Sequence, residues 1–322
     1  MKTLDYYRDL IETAIKDLKF PQTKVENLYH PIEYALQAGG KRIRPLLTLI
    51  SADAFGEKSG EALTAATGIE IFHNFTLLHD DVMDKSDMRR GRPTVHKKFG
   101  ENSAILSGDT MLTIATQLVT KVPDNVLRRV IDTFNKMAID VYEGQQLDMD
   151  FETMSQISID DYLEMIGKKT GALLGASAKI GAIIGGAEER EADLMYDFGY
   201  QTGIAFQIQD DWLDTFGDAS TFGKAIGSDI VNGKKTYLYV LASRKSGEVS
   251  KALTDAYQIT SDEIKIKTVT TLYKKLGIDE EAKKAVNHYS SLALKAIQST
   301  GLSIEYKELL KKMAEKLIGR RR

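Results

Sequence analysis

Helical rhythm without breakers constrains this chain more than any other feature. The stretches LRRVIDTFNKMAIDVYEGQQLDM (residues 127–149) and EAKKAVNHYSSLALKAIQ (281–298) repeat apolar side chains at the helical period and contain no proline. Only five prolines occur in 322 residues, and alternating β-branched runs closed by Asn-Gly or Asp-Gly turns are scarce. Such a chain has long amphipathic faces to bury and little means of building a sheet. It predicts an all-α fold, a bundle of about ten helices around one core. No Ser- or Pro-rich linker and no fixed-period repeat divides the sequence, so residues 1–322 are expected to form a single domain.

Charge and composition narrow the function classes. Lysine plus arginine (43) and aspartate plus glutamate (46) leave a net charge of only -3. No global field favours nucleic acid or an anionic membrane surface. The absence of cysteine excludes disulfides, thiolate metal sites and cysteine nucleophiles. The opening MKTLDYYRDLIE is charged too early for a secretory leader. No uncharged apolar run reaches the roughly 18 residues of a membrane span. The most apolar stretch, TGALLGASAKIGAIIGGA, is interrupted by Lys179, and its glycines and alanines suit close helix packing. A cytoplasmic protein without stable membrane insertion is expected.

Chemistry concentrates in LLHDDVMDKSDMRRGRPTVH, residues 77–96. If the apolar helix GIEIFHNFTL before it continues, Asp80 and Asp84 share one face a turn apart, and Asp81 stands about 100° round. A lone cluster of this kind is ordinarily a solvated helix end. The spacing returns, however, in FQIQDDWLD, where Asp210, Asp211 and Asp214 again follow an apolar run. Six carboxylates gathered together would raise one another's pKa and oppose folding unless a cation lay among them. All-oxygen donors suit a hard ion, Mg²⁺ by default. Mg²⁺ keeps waters and takes few carboxylates plus phosphate oxygens, so the paired clusters predict a polyanionic ligand, most simply a diphosphate. The alternating acids and central glycine of a calcium loop are missing.

Bases beside glycines complete the pattern. GGKRIRP supplies Lys41, Arg42 and Arg44; RRGRP supplies Arg89, Arg90 and Arg92. GKKTG supplies Lys168, Lys169 and Thr170, and FGKAIGSDIVNGKKT supplies Lys224, Lys234 and Lys235. Glycine lets such side chains and their backbone approach phosphate closely. GKKTG lacks the full spacing and the preceding strand of a P-loop, so an NTPase is rejected.

These segments resemble the trans-isoprenyl diphosphate synthases, or polyprenyl synthetases. The two aspartate-rich segments match the family's two metal motifs, and GGKRIRP, GDTML (108–112), EGQQLD (143–148), KTG (169–171) and GSDIVNGKKT (227–236) follow in family order. The match runs from residue 35 to 240, with a looser helical C-terminal part. The resemblance implies an all-α isoprenoid synthase fold around a central cavity, in a homodimer. It implies an allylic diphosphate (dimethylallyl, geranyl or farnesyl) held through three Mg²⁺ on Asp80, Asp84 and Asp210, with Asp81, Asp211 and Asp214 in support. It also implies isopentenyl diphosphate at Lys41, Arg44, His73 and Arg90. The allylic diphosphate would meet Arg89, Lys169 and Lys234, with Lys224 beside it, and Thr170 and Gln207 would line the reacting carbon.

His73 by itself would read as an ordinary half-buried helix histidine; its family position reverses that. His79 and His96 read as structural. A terpene cyclase shares the first motif, but its second usually mixes Asn or Asp with Ser/Thr and Glu. A non-catalytic synthase subunit would be expected to lose one cluster. Product length is read from the helix leading to Asp80. Phe75, followed by Thr76 and with Phe72 about a turn deeper, resembles the short-chain synthases. A product of C15 to C20 is therefore expected, with a longer-chain synthase as the alternative. The C-terminal Arg320 to Arg322 read as a frayed tail, or alternatively as arginines that fold over a bound diphosphate.

Overall fold

The computed structural model describes residues 2–21, 24–154, 156–218 and 226–319. Among these residues helices dominate, and the only strands are Met88–Arg89 and Arg92–Pro93, so the all-α expectation holds. The chain forms two compact units, Met1–Asn135 with Ser177–Asp193, and Lys136–Ala176 with Leu194–Arg322.

In the first unit, α1 (Leu4–Lys16), α2 (Glu26–Leu36) and α3 (Ile43–Gly56) lead to α4 (Ser59–Met83), followed by α5 (Val95–Phe99) and α6 (Glu101–Val119). Helix α4 buries side chains on nearly every side, from Ala62 to Asp81, as an apolar helix at the centre of a core must. It packs on α3 and α6. A Cβ on Gly68 would meet the Ala115 carbonyl of α6 at 2.8 Å, so only glycine permits that approach. The Gly/Ala stretch does the same service. A Cβ at Gly181 would lie 2.1 Å from the Thr48 carbonyl of α3, and the Thr48 hydroxyl donates to the Ser177 carbonyl at 2.9 Å.

Arg42 holds this unit together from within. It takes left-handed backbone (φ 52) just before α3 and is buried. Its guanidinium donates to Glu12, Glu70 and the Leu36 carbonyl at 3.0, 2.7 and 3.0 Å, joining α1, α2 and α4. A buried arginine with a donor on each available acceptor is a structural cation.

Helix α7 (Asp124–Thr153), α9 (Ala172–Gly185) and α10 (Glu189–Phe216) each contribute residues to both units. The second unit adds α8 (Ile159–Ile166), which opens on a capping box between Ser158 and Asp161. A π-helical turn, Gly167–Gly171, joins α8 to α9. Then follow α11 (Ser228–Val231), α12 (Tyr237–Ser243), α13 (Gly247–Tyr257), α14 (Asp262–Lys275), α15 (Ile278–Gln298) and α16 (Ile304–Gly319). One core cluster of this unit gathers Tyr162, Met165, Ile204, Ile208, Tyr237, Val240 and Val286 around α8 and α10. A second holds Leu238, Leu253, Val269 and Tyr273. Among the described residues no helix is long and apolar enough to cross a membrane.

Candidate active site

Each aspartate cluster lies at the C-terminal end of its helix. Asp80 and Asp81 fall in the last turn of α4 and Asp84 is its C-cap; Asp210, Asp211 and Asp214 close α10. The helix macrodipole is negative there, so a carboxylate costs about 0.3–1 kcal/mol where a cation would be stabilised. Stability alone would put acids at the other end.

The first helix end is sharply defined. Ser86 N donates to the Asp81 carbonyl at 3.0 Å and Lys85 N to the Val82 carbonyl at 3.2 Å, with Lys85 in left-handed backbone (φ 52). This is a complete Schellman stop with lysine where glycine is usual. A tight hairpin follows, pairing Met88 with Pro93 and Arg89 with Arg92. Its two turn residues, Arg90 and Gly91, have φ of 52 and 74, the requirement of a type I′ turn.

The hairpin returns its arginines to the helix. Arg89 Nε donates to both Asp81 oxygens at 2.8 and 2.9 Å, and its Nη2 reaches Asp80 at 3.1 Å. Asp81 is only 3% exposed, and burial raises its pKa against the pull of Arg89. Arg90 turns the other way and donates to the Gly39 carbonyl. Its guanidinium lies against Gly40, where a Cβ would sit 2.9 Å from Nη1; Gly40 also has φ +146. The Gly39-Gly40 turn thus makes room for this arginine.

Arg44 and His73 belong to the same corner. Arg44 Nη1 lies 3.1 Å from His73 Nε2. Burial, then Arg44, Arg90, Arg89 and Arg42, hold His73 well below the usual imidazole range. It is therefore neutral, and since a guanidinium only donates, Nε2 is the acceptor. Burial, with Arg90 nearby, brings Arg44 down to about 10. Arg44, His73 and Arg90 thus converge into a positive corner, while Lys41 is exposed.

In the second unit the cluster is more deeply fixed. Asp211 is 3% exposed and accepts from Tyr162 Oη, from Tyr237 N at 2.8 Å and from Gln207 Nε2 at 3.2 Å. Burial, then the neighbouring Asp229, push it up to about 8. Asp214 accepts from Ser228 Oγ at 2.6 Å and Asp229 N at 3.0 Å, tying the start of α11 to α10. Asp81, Asp211 and Asp214 therefore have both oxygens engaged within the protein, whereas Asp80 and Asp210 are half-buried and Asp84 is exposed.

Thr170 Oγ1 donates to Gln207 Oε1 at 3.3 Å, so these two site residues meet. Lys169 pairs with Asp148 at 2.6 Å. A Cβ on Gly144 of α7 would lie 2.3 Å from the Lys169 amide nitrogen, so glycine seats the π-turn against α7. Lys168 is spent on Glu143 and Glu164. Lys235 donates to the Phe151, Glu152 and Met154 carbonyls and so caps the end of α7, leaving Lys234 as the exposed member of the pair. Lys224 and Arg320 to Arg322 lie outside the described residues.

Along α4, Phe75 stacks edge-on against Phe72 (centroids 5.5 Å apart) and His79 (4.8 Å). Phe72 in turn meets Phe134 at 5.3 Å. His79 has a structural place, with Nε2 3.1 Å from the Ile105 carbonyl over Gly108. Thr76 donates to the His73 carbonyl at 2.8 Å. Sequence reasoning missed Tyr162, Tyr237 and Asp148. Asp148 stands in EGQQLD and so had a signal, an acid in a segment otherwise read as a motif; Tyr162 had none.

Among the described residues no group of three His, Cys, Asp or Glu side chains is gathered closely enough to hold a metal ion by itself. The donors at hand are carboxylate oxygens, a set that fits a hard cation sharing its coordination with phosphate.

Comparison with known proteins adds the family context. The family described as polyprenyl synthetase matches residues 25–276. A geranylgeranyl diphosphate synthase of Methanosarcina mazei is 43% identical over 237 residues, 73% of either chain. One from Sulfolobus acidocaldarius is 37% identical over 330 aligned positions and the full length of both. A crystal structure of a geranylgeranyl pyrophosphate synthase superposes with a TM-score of 0.94 at 41% identity, covering all of both chains.

Proposed function

The chain belongs to the polyprenyl synthetase family, and from that membership we propose that it joins isopentenyl diphosphate head-to-tail to an allylic diphosphate, releasing a short-chain trans-prenyl diphosphate. It is a prenyltransferase, and one observation supports the chemistry above all. The same acidic device stands at a helix C-terminus twice, once in each unit, and in the first unit it is met by Arg89.

Asp80, Asp84 and Asp210 would hold Mg²⁺, three ions by family analogy, while Asp81, Asp211 and Asp214 keep the clusters in shape. When bound, Mg²⁺ draws charge onto the leaving diphosphate. Arg89, Lys169, Lys234 and Lys224 would bind the same allylic diphosphate. Arg89 and Lys169 would leave their partners Asp80 and Asp148 for it, exchanging one charge-assisted hydrogen bond for another. Lys41, Arg44, His73 and Arg90 would hold isopentenyl diphosphate, with neutral His73 orienting Arg44. As the allylic C–O bond opens, the hydroxyl of Thr170 and the carbonyl of Gln207 offer oxygen dipoles to the cation without a nucleophile strong enough to trap it. The isopentenyl double bond attacks, and the departing diphosphate takes the proton.

Phe75, with Phe72 behind it and Thr76 beside it, would bound the growing chain at C15 to C20; the names of the similar proteins favour C20. A cytoplasmic homodimer belongs to the same reading. Helix α6 leaves Ile105 and Leu106 39% and 59% exposed, an apolar surface suited to a second copy. Incubation with labelled isopentenyl diphosphate and dimethylallyl, geranyl or farnesyl primers tests the proposal. Labelled prenyl diphosphate is expected; cyclic hydrocarbon or no product would refute it.

A further inference from the structure

Thr170 and Gln207 have to meet with a particular polarity if they are to present oxygen to the reacting carbon, and a carboxamide can face either way. In the structure the NH₂ end of the Gln207 carboxamide faces Asp211 and its oxygen faces Thr170. Nε2 lies 3.2 Å from Asp211 Oδ1, and this leaves Oε1 toward the Thr170 hydroxyl at 3.3 Å. The orientation holds only while Asp211 itself is fixed. Its second oxygen, Oδ2, accepts from the Tyr237 amide at 2.8 Å and from the phenol of Tyr162.

Tyr162 and Thr170 stand on the same run of helix, α8 and the π-turn that continues it; Gln207 and Asp211 stand one turn apart on α10. Two rungs therefore join the same pair of elements. Glycines bring the backbones close enough for such short side chains to meet: a Cβ on Gly203 would lie 2.6 Å from the Gly171 Cα.

Building on the prenyltransferase reading, we infer that Tyr162 is a positioning residue: its hydroxyl locks Asp211, which turns the Gln207 carboxamide so that its oxygen, and not its nitrogen, faces Thr170 and the reacting carbon. Asp211 thereby acts as an anchor for an uncharged residue as well as a member of the acidic cluster.

The test uses the full chain and a double-mutant cycle. Tyr162→Phe removes one oxygen and is expected to lower kcat about tenfold while each KM stays within about twofold. In a Gln207→Leu background the same change should cost less than about twofold more, because the group it positions is gone. An equal loss in both backgrounds would overturn the inference. The second readout needs no turnover. In protein made with isotope-labelled glutamine, the side-chain NH₂ signal that vanishes in Gln207→Leu is expected to be protected from solvent exchange. Tyr162→Phe should abolish that protection and spare the other glutamines; retained protection would also overturn the inference. An unsubstituted chain that makes no prenyl diphosphate would instead refute the enzymatic reading, and the exchange measurement would still decide the role of Tyr162. Should Tyr162→Phe fail to fold, Thr170→Val, which keeps shape and removes the hydroxyl, takes its place in the exchange measurement. The Gln207 NH₂, held by Asp211, should stay protected; lost protection would mean that the nitrogen faces Thr170 and would overturn the inference.

Discussion

Asp80 and Asp210 are half-buried where Asp81, Asp211 and Asp214 are buried, which makes them the sharpest residues to test. Asp80→Asn and Asp210→Asn preserve shape and remove one ligand charge. Each should slow turnover by about two to four orders of magnitude at saturating Mg²⁺, with helicity by circular dichroism unchanged. Near-normal rates in both would dismiss the metal assignment. His73 makes a different kind of prediction. Burial and four arginines keep its folded-state pKa well below the usual imidazole range. Between that depressed value and about 6.5, the unfolded chain binds a proton that the folded chain refuses. Stability should therefore be full above about pH 6.5 and fall as the pH drops below it, and His73→Gln should remove that part of the loss. Denaturant unfolding at about pH 7.5 and about pH 5.5 would show whether the two proteins converge in this way.

At the scale of elements, α4 joins chemistry to product size. Its end carries Asp80, and Phe75 lies five residues earlier, about 7.5 Å along the axis. The ring is wedged between Phe72 and His79, so its position is set by packing rather than by free rotation. Phe75→Ala should open the wall and lengthen the products, since each added isoprene gains apolar burial. Chromatography of dephosphorylated products would reveal the shift, and an unchanged distribution would place the limiting wall elsewhere. Helices α4 and α10 were legible in the sequence because each is a long apolar run that leads into its acids. The hairpin left only the glycine and proline of RRGRP as a signal: Met88 and Arg89 show no apolar alternation, and Arg90-Gly91 replaces the usual Asn-Gly. The π-turn had no local signature, because what accommodates it is Gly144, on another helix. The tyrosine that fixes Asp211 lies 49 residues away from it, beyond the reach of any spacing argument. Arg42 could not be told from Arg44 by spacing either; only burial shows that one is consumed by Glu12 and Glu70 while the other faces His73.

For the whole molecule, one base in each unit separates the two substrates: Arg44, in the first, is assigned to isopentenyl diphosphate, and Lys234, in the second, to the allylic diphosphate. Arg44→Ala should mainly raise the KM for isopentenyl diphosphate, and Lys234→Ala that for the allylic primer. Each lost charge-assisted contact is worth about 1.5–3 kcal/mol, roughly tenfold or more. Equal effects of both changes on both substrates would mean that the sites are exchanged or shared. The boundaries between the units fall between residues 135 and 136, 176 and 177, and 193 and 194, in the interiors of α7, α9 and α10. This has a consequence for inheritance. A gene crossover at any of those points would splice two half-helices of different ancestry, with mismatched apolar stripes meeting in mid-turn. Recombination should therefore transmit the two units as one linked block, and relatives should diversify by point substitutions at places such as Phe75 rather than by exchanging halves.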